Sequence, residues 1–469
     1  MSEPEKSNAP DYVIQVNDSL HNIRANDWNA LLALQTVPTP FMRYEYLNSM
    51  QQSGCASTQT GWTARYFSIW LNDQLQAASA LYIKTNSYGE YVFDHAWANA
   101  YHQHGLPYYP KATIAPPFTP VPGTRLLARD ATAKSTLLES MISWCEEQNL
   151  SSMHLLFGSD GDINACQTAG LMLRHTVQFH WTNNEKPFTH FDEFLMTLTQ
   201  EKRKKIRQER RKVANAGVTF RSALGKEIPD SDWDFFYQCY ERTYWEHGNA
   251  PYLSRDFFRM MQQTMPENWL LFTAMRGDQA IATSLIALQA INTKAIAKKD
   301  TIKIAYGRYW GALESIDCLH FEACYYQAIE WCIQRGYHRF EGGAQGEHKM
   351  ARALLPVKAT SAHWIAHPEF AKAIQHFLKR EESGVEYYLD DLHSRSPVKK
   401  SRAVKILYTE CVLSAVSLAR IPSGELRYSK ANTAASTRDR KFSFSMMCLT
   451  CSLTVLWLIS SSRAMTLLL

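Results

Sequence analysis

The sequence predicts an α/β protein built from a duplicated unit of hairpin, helix and strand. Two segments repeat an apolar run, a two-residue turn and a second apolar run: GWTARYFSIWLNDQLQAASALYIKT from position 61 and NWLLFTAMRGDQAIATSLIALQ from position 268. Apolar runs around Asn72-Asp73 and Gly277-Asp278 are typical of β-hairpins. Each hairpin leads, through a segment with tyrosine and glycine, to a helix pattern and a short strand pattern. We therefore expect an internal duplication of about 200 residues.

The helix and strand after each hairpin complete the unit. They read LLESMISWCEEQNL and SSMHLLF in the first half, and HFEACYYQAIEWCIQRG and YHRFEGG in the second. A chance match of hairpin, helix and strand is the alternative to duplication. Between the halves, EKRKKIRQERRKVANAGVTF predicts a basic helix that ends near Ala216-Gly217 and a strand that begins at VTF.

The length of the chain indicates more than one unit, because 469 residues exceed what a single core usually serves. We expect an N-terminal segment over 1–26, a first domain over 27–190, a basic helix and connection over 191–220, and a second domain over 221–395. The part over 396–469 is basic and rich in serine and threonine. We expect it to be a disordered or weakly hydrophobic extension.

The net charge of +5 comes from this extension. From Arg395 to the end, 12 Lys and Arg stand against 3 Asp and Glu, which leaves 38 against 42 for residues 1–394. Total charge therefore gives no argument for nucleic-acid binding. Residues 442–462 carry no charge and are just long enough to span a bilayer, but six of them are serines. A membrane anchor is the alternative to a disordered end.

The two ends and the cysteines favour a cytoplasmic protein. The start, MSEPEKSNAP, lacks an apolar core, so we expect no signal peptide. Of ten cysteines, only Cys448 and Cys451 form a CxxC, and no second pair accompanies them. A zinc or redox site is therefore weakly supported, and free thiols in a reducing compartment are expected.

Several long motifs carry a resemblance to a known family. EGGAQGEHKMARALLPVKATSAHWI, SYGEYVFDHAWANAYHQHGLPYYPK, PFTPVPGTRLL, YGRYWG and LHFEACYYQAIEW resemble bacterial FemAB-like proteins, often described as peptidoglycan biosynthesis/recognition proteins or GNAT-type N-acyltransferases. The resemblance extends from about Asp27 to Pro397. It implies two tandem GNAT-like α/β domains, each with a mixed sheet flanked by helices.

The resemblance also implies an acyltransferase that moves an acyl or aminoacyl group onto an amine. In the Fem transferases, an aminoacyl-tRNA donates an amino acid to a cell-wall peptide amine, and a basic helix stands between the halves. The run Lys202 to Lys212 has that position and is a candidate tRNA contact, with a solvated helix face as the alternative.

The sequence departs from ordinary acetyltransferases in one respect, which bears on the donor and on a second hypothesis for the function. No Gln/Arg-x-x-Gly-x-Gly/Ala pyrophosphate loop is apparent, which weakens acetyl-CoA as the donor. We expect no tightly bound cofactor, and acyl-CoA or aminoacyl-tRNA as a donor substrate. The alternative function is a non-catalytic module that recognises a cell-wall precursor or peptide.

The stretch EGGAQGEHKMAR holds the densest polar chemistry of the second half. Its glycines follow a predicted strand and precede a predicted helix over 347–354, an arrangement that brings backbone N–H groups near an anion. Glu341 and His348 are candidate bases for an attacking amine. A glycine-rich turn before a solvated helix is the alternative. The candidate substrate contacts here are Gln345, Lys349 and Arg352.

Two neighbouring motifs add candidates. In YGRYWG, Tyr306 is a candidate acid or oxyanion donor, while Arg308 and Tyr309 are candidate substrate contacts, and either tyrosine can equally be a core residue. In LHFE, His320 and Glu322 share one side of the chain if it is extended, and a helix start is the alternative. A nucleophile made by Cys318 or Cys324 with His320 is less favoured than buried structural thiols.

The first half has its own polar cluster, formed by Glu90, Asp94, His95, Tyr101, His102 and His104. Its spacing matches no closed zinc pattern, so we expect no metal. Asp94 and Lys111 are candidate substrate contacts on a binding rim, with surface polarity as the alternative. The prolines of APPFTPVPGTR predict a rigid loop that walls a cleft.

Overall fold

A computed structural model of the chain describes residues 11–183, 186–291, 302–343 and 346–399. Two compact units are present. The first includes the described residues up to Arg242 and Pro251–Val398, and it contains every strand. The second, within the described part, comprises Thr243–Ala250 and Lys399. Gln345, Cys448, Cys451, the N-terminal ten residues and the segment 442–462 lie outside the described residues.

Thirteen strands form a single mixed sheet in the first unit. This confirms the α/β class. The strands are β1 Val13–Asn17, β2 Trp62–Leu71, β3 Gln74–Lys84, β4 Lys111–Ile114, β5 Leu127–Ala128, β6 Ser152–Leu155, β7 Met172–Thr182, β8 Val218–Leu224, β9 Trp269–Arg276, β10 Gln279–Ile291, β11 Ile302–Ala312, β12 Arg339–Glu341 and β13 Leu355–Ile365.

Helices cover both halves of the chain. They are α1 Ala25–Ala33, α2 Tyr44–Gln52, α3 His95–Gln103, α4 Ala131–Glu147, α5 Asp160–Thr168, α6 Phe191–Thr197, α7 Gln200–Asn215, α8 Asp230–Glu246, α9 Arg255–Thr264, α10 Leu319–Phe321, α11 Gln327–Gln334 and α12 Pro368–Ser394. A π-helical turn, Glu322–Tyr326, joins α10 to α11. The 3₁₀ turns are Leu20–Asn22, Pro40–Met42, Gly225–Glu227, Pro266–Asn268 and Glu347–Arg352.

Both predicted hairpins are confirmed. Strands β2 and β3 pair antiparallel up to Leu71 and Gln74, and the two turn residues between them, Asn72 and Asp73, have φ of 50° and 59°. Asn and Asp tolerate this left-handed region better than most residues, which explains the choice of turn. Strands β9 and β10 pair in the same way around Gly277-Asp278.

The order of the strands reads alike from both edges. Twelve of the thirteen strands follow the order β1-β2-β3-β4-β6-β13-β7-β12-β11-β10-β9-β8, and β5 lies off this path, paired with β3. Counted from one edge, the first five strands are β1, β2, β3, β4 and β6; counted from the other, they are β8, β9, β10, β11 and β12. In each set the fifth strand, β6 or β12, follows a crossover helix. At the centre, β13 pairs with β6 of the first half, whereas β7 pairs with β12 of the second. A duplicated unit whose last strands exchange sides would produce this order, although the duplication itself stays a prediction.

The sheet separates an apolar core from a polar face around its centre. Phe179, Trp181, Ala305 and Phe340 lie in one hydrophobic cluster with α6, the π-helical turn and α11. Since side chains alternate along a strand, the residues next to them in sequence point to the opposite face. Those residues include His180, Tyr306 and Glu341, and they form the start of the candidate site.

One local prediction of backbone was wrong, and one open alternative is decided. The segment after Gly346 forms only a 3₁₀ turn, Glu347–Arg352, because Ala353 adopts a left-handed φ of 62° and ends it before Leu354. The LHFE segment is helical, so the extended arrangement of His320 and Glu322 does not occur. The basic helix between the halves is confirmed as α7.

Candidate functional site

The candidate residues fall into four places in the fold. Glu341, Tyr306 and Arg308 lie where β11 and β12 stop pairing, and with His180 we call them the strand-end group. His348, Lys349 and His320 surround the turn after Gly346, and with Tyr325 they form the turn group. Arg352 and Glu322 contact α7, whereas Asp94 and Lys111 belong to the first half.

The strand-end group is one row of side chains across three strands. Strands β11 and β12 run parallel and pair as far as Tyr306 and Glu341, after which β12 ends and β11 continues to Ala312. On the other side of β12, Glu341 lies opposite His180 of β7. The two parallel strands therefore separate directly beside a carboxyl group.

Glu341 is a buried carboxyl with an incomplete set of partners. It is 3% exposed, and Arg339 Nη2 lies 2.9 Å from Oε1 while His180 Nε2 lies 3.7 Å from Oε2. Neither oxygen accepts a well-directed hydrogen bond from any residue that the structure describes. Burial raises the pKa of Glu341 to about 7, against the opposing effect of Arg339. The group can therefore exchange a proton near neutral pH.

His180 stays uncharged beside this carboxyl. Burial, together with the positive charges of Arg339 and Lys349, lowers its pKa to about 3. Gln178, two residues earlier on β7, places its Oε1 3.5 Å from His180 Nε2. The sequence analysis missed both residues, although the alternation in TVQFHW was a usable signal for one polar face of a strand.

Tyr306 is buried on the face of the sheet opposite the cluster that holds Ala305, in line with the alternative that it is a packing residue. It is 1% exposed, donates its hydroxyl hydrogen to Gln289 Oε1 at 2.7 Å, and contacts Phe41 edge to face. Burial raises its pKa well above the usual value, so the phenol keeps its proton. Tyr309 packs against Tyr240 and Phe258.

Arg308 is placed by an irregularity in the sheet. Gly307 lies opposite Ile286 and Tyr309 opposite Leu285, so Arg308 has no partner position on β10. Such a bulge turns a side chain away from the regular alternation. Its Nη2 donates to the carbonyl oxygen of Phe118 at 3.0 Å, and its guanidinium lies 5.0 Å from the Phe41 ring.

The proline-rich loop of the first half lies against this polar face. Gln178 Nε2 donates to Pro120 O at 3.0 Å, and Arg308 donates to Phe118 O. Arg125, at the end of the loop, is completely buried and donates through Nε to Leu156 O. That the loop walls a cleft stays a prediction, but its contacts with this face are the ones that such a wall requires.

Glycine is required in the turn after Glu341. Gly346 has a φ of 109°, and a Cβ there would lie 2.4 Å from His348 Cε1. A Cβ on Gly342 would lie 2.3 Å from Leu354 Cδ2. The glycines thus allow side chains of the following turn to fold back over the backbone.

Lys349 is the second buried titratable group of this region. It is 5% exposed, and its Nζ donates to the carbonyl oxygen of Gly343 at 3.0 Å. No ion pair joins it to a carboxylate of the described residues. Burial lowers its pKa to about 8, so a fraction of the amine is neutral near physiological pH.

The remaining members of the turn group are two histidines around a tyrosine. His348 Nε2 lies 3.2 Å from the Tyr325 hydroxyl, and the His320 ring centre lies 5.6 Å from that of Tyr325. Burial, together with nearby cations that include Lys349 and Arg352, lowers the pKa of each histidine to about 4. Both imidazoles are therefore neutral at pH 7. Tyr325 was missed because a tyrosine inside a helix pattern ordinarily indicates core.

Arg352 and Glu322 are committed to contacts within the protein. Arg352 Nη2 donates to Glu209 Oε1 of α7 at 2.9 Å, and its guanidinium lies 3.5 Å from the Phe321 ring centre. Glu322 accepts from Arg210 Nε at 3.1 Å and from Gln327 Nε2 at 2.7 Å. Both contacts tie the turn and the π-helical segment to the basic helix.

Asp94 and Lys111 form a closed network in the first half. Lys111 Nζ donates to Glu90 Oε2 at 2.7 Å, to Ser87 Oγ at 3.0 Å and to Asp94. Tyr108 donates its hydroxyl hydrogen to Asp94 at 2.6 Å. Lys111 is completely buried. This is a buried network, whereas the sequence analysis expected a rim or surface polarity.

Comparison with known proteins gives a family. The family model for FemAB-like proteins, described as peptidoglycan biosynthesis/recognition, matches residues 19–400. The chain belongs to the FemAB-like family. The comparison with curated proteins found no match.

Solved structures resemble this FemAB-like chain only distantly. FemX has 11% identity and a TM-score of 0.44, over 75% of this chain and 98% of its own. L-PGS from Bacillus licheniformis has 9% identity and a TM-score of 0.44, over 76% and 97%. A tandem GNAT protein from the clavulanic acid pathway has 10% identity and a TM-score of 0.38, over 76% and 99%.

Several basic side chains of α7, the basic helix of this FemAB-like protein, form ion pairs within the protein. Arg207 pairs with Asp192, Arg210 with Glu322 and Glu330, and Lys212 with Asp317. Lys204, Lys205 and Arg211 are exposed. The tRNA contact stays a prediction.

Three hypotheses that the sequence disfavoured concern a cysteine nucleophile, a metal site and a membrane span. Cys324 approaches Ser284, and burial raises its pKa to about 12, so the thiol is a poor nucleophile. In the residues that could be searched, no three metal-ligating side chains come together. Among the described helices, none has the length and apolar character to cross a bilayer.

Proposed function

We propose that this protein transfers an acyl or aminoacyl group onto an amine, with Glu341 as the general base. The observation that carries the proposal is the Glu341 carboxyl itself. It is buried at the end of β12, lacks a directed hydrogen bond from the described residues, and has a pKa raised to about 7. A general base works best when its pKa lies near the working pH.

The reaction balances with one base. The amine nitrogen attacks the carbonyl carbon of the donor, and its proton passes to the Glu341 carboxylate. The new C–N bond forms as the C–S bond of an acyl-CoA or the C–O bond of an aminoacyl-tRNA breaks, and the leaving group takes up a proton. In this proposal the two substrates meet beside Tyr306 and Glu341, where β11 and β12 stop pairing, in a conformation more open than the one described.

The other residues receive supporting roles in this proposal. Arg308 holds an anionic group of a substrate. Tyr306 acts as a positioning residue through Gln289, in place of the predicted acid or oxyanion role. His348, Lys349 and His320 bind the acceptor from the glycine-rich turn, and Tyr325 adds a hydroxyl. Gln345 keeps its predicted role as a substrate contact.

The proposed acceptor is supported by the family, and the proposed tRNA donor by basic residues of α7. The family's description, peptidoglycan biosynthesis/recognition, supports a cell-wall peptide as the proposed acceptor. The proposal keeps the predicted cytoplasmic location and the absence of a tightly bound cofactor as expectations. Exposed Lys204 and Lys205 are the proposed tRNA contacts on α7.

The test is a transfer assay with labelled acetyl-CoA, a long-chain acyl-CoA and aminoacyl-tRNA, and with muropeptides that carry a free amine as acceptors. We expect one donor to be used, kcat to fall about 10²–10⁴-fold in Glu341→Gln, and the pH dependence near 7 to disappear in that variant. Glu347→Gln, an exposed carboxylate in the next turn, is the matched control and should retain activity. Equal activity of the two variants would overturn the role of Glu341.

A non-catalytic binding module is the second candidate, and one observation favours it. Glu341 and Tyr306 are only 3% and 1% exposed, so the strand-end group is closed to substrate in this conformation. A muropeptide that binds with a measurable Kd by calorimetry, while no donor supports transfer, would favour the module over the enzyme.

A further inference from the structure

A cavity separate from the proposed transfer site lies beside the basic helix. Its volume is about 370 Å³, near the lower end of the range for small-molecule sites. It opens between the second half of α7, the start of β8 and the π-helical turn. The lining residues are Arg210, Arg211, Val213, Ala214, Val218, Thr219, Phe220, Glu322 and Gln327.

One wall of the cavity is a fixed polar network. Glu322 is 4% exposed and accepts hydrogen bonds from Arg210 and Gln327, while Arg210 also pairs with Glu330 at 2.7 Å. Glu322 is also the first residue of the π-helical turn, a backbone form that is frequent at functional sites. The network holds its charges in place before any ligand arrives.

The lining of the cavity also includes one uncommitted cation. Arg211 is exposed, and among the described residues it has neither an ion pair nor a hydrogen-bond partner. Arg210 already pairs with Glu322 and Glu330, so among the described residues that line the cavity Arg211 carries the one unpaired charge, +1. A monoanion balances that charge, whereas a dianion would also face the Glu322 carboxylate. The planar guanidinium matches the two oxygens of a carboxylate.

The rest of the lining is apolar. Val213 and Val218 are buried and belong to a hydrophobic cluster with Ala274 and Ile281, and Phe220 packs against that cluster. Ala214 leaves room beside them because its side chain is a single methyl group. A ligand that reaches Arg211 from this cavity therefore lays its remaining atoms on an aliphatic and aromatic surface.

We infer that the cavity binds a small aliphatic monocarboxylate. Its carboxylate pairs with Arg211, and its hydrocarbon part lies against Val213, Val218 and Phe220. The inference is independent of the proposed transfer reaction, since none of the residues that line the cavity belongs to the strand-end group or the turn group.

Calorimetry with the full chain tests this site, using butanoate, hexanoate and octanoate, with octanol and inorganic phosphate for comparison. We expect saturable binding of the carboxylates that tightens about fourfold per added methylene until the cavity is filled, because each buried methylene contributes a constant transfer term. Octanol and phosphate should bind at least about tenfold more weakly than octanoate.

Three variants sharpen the test. Arg211→Ala removes the cation and Ala214→Trp fills the space, and each should weaken octanoate at least about tenfold. Lys204→Ala removes an exposed cation of α7 that does not line the cavity, and it should bind octanoate like the natural protein. Absence of saturable binding overturns the inference. So does equal loss in Lys204→Ala, or phosphate binding as tight as octanoate, because either result indicates a diffuse basic surface.

Discussion

Lys111 in the first half and Lys349 in the second are both buried, but their surroundings differ. Lys111 Nζ has two carboxylates, Glu90 and Asp94, and a hydroxyl as partners. Lys349 Nζ donates to one backbone carbonyl. The pKa of Lys111 is raised because the two carboxylates outweigh its burial, whereas burial lowers the pKa of Lys349 to about 8.

The difference in partners makes Lys111 a charge that stabilises the structure, whereas Lys349 is an amine that is available for chemistry. A buried ammonium is stable when carboxylates replace its hydration, and it then has little reason to release its proton. Without such partners the amine approaches neutrality and can exchange protons with a ligand. The comparison therefore separates Lys111, a paired charge of the scaffold, from Lys349, an amine unpaired among the described residues.

The largest expected effect is from Lys111→Met. The substitution leaves Glu90 and Asp94 buried without their cation, so the free energy of unfolding should fall by about 3–5 kcal/mol. Urea unfolding at pH 7 measures it. Lys349→Met is the matched control, and it should not lower the free energy of unfolding in this way, because no carboxylate loses a partner and a disfavoured buried ammonium is removed.

Adding Asp94→Asn to Lys111→Met should restore part of the loss, since one of the two unpaired charges is removed. Equal destabilisation by Lys111→Met and Lys349→Met would contradict the comparison.

A medium effect is expected in the pH dependence of stability for Lys349→Met. The folded pKa is about 8 against the usual 10.5, so between these values the unfolded chain binds more protons. The buried Lys349 ammonium destabilises the natural protein to its full extent below pH 8, and this cost decreases as the pH rises toward 10.5. The natural protein should therefore gain stability relative to Lys349→Met by up to about 1.4 kcal/mol per pH unit in this window.

Urea unfolding at several pH values between 7 and 10.5 measures this difference. Lys372→Met removes an exposed lysine of α12 and should give a profile parallel to that of the natural protein. A parallel profile for Lys349→Met as well would mean that Lys349 is not a perturbed amine.

The smallest effect is expected from Ser87→Ala. This change removes the one neutral acceptor of Lys111 but leaves both carboxylates, so the loss should be only about 0.5–1.5 kcal/mol. Urea unfolding beside Lys111→Met measures it. A loss as large as that of Lys111→Met would show that the carboxylates do not dominate the network.

Much of the fold could be predicted from the sequence, because hairpins and helices depend on short patterns. The Asn72-Asp73 turn, the α4 and β6 pair and the end of α7 near Gly217 follow from turn chemistry and periodicity. The site was predictable in part. Glu341, Tyr306 and Arg308 were chosen from two separate motifs, and the parallel pairing of β11 with β12 brings them together.

Other features of the site depend on distant contacts. The bulge at Arg308 arises from the register of β10 and β11, and nothing in YGRYWG specifies it. His180 faces Glu341 only because β7 pairs with β12 of the other half. The π-helical turn that presents Tyr325 shares its local pattern with an ordinary helix.

The sequence by itself determined the class of fold, the hairpins, the basic helix and the glycine-rich turn, since each follows from the conformational preferences of neighbouring residues. Tertiary structure alone decided which polar groups share an environment. Burial and the position of opposite charges set whether Lys111 stays charged and whether Glu341 and Lys349 titrate near neutrality. The residues that bury these groups and the charges beside them come from strands and loops far apart in the chain, so no local sequence pattern predicts these pKa shifts.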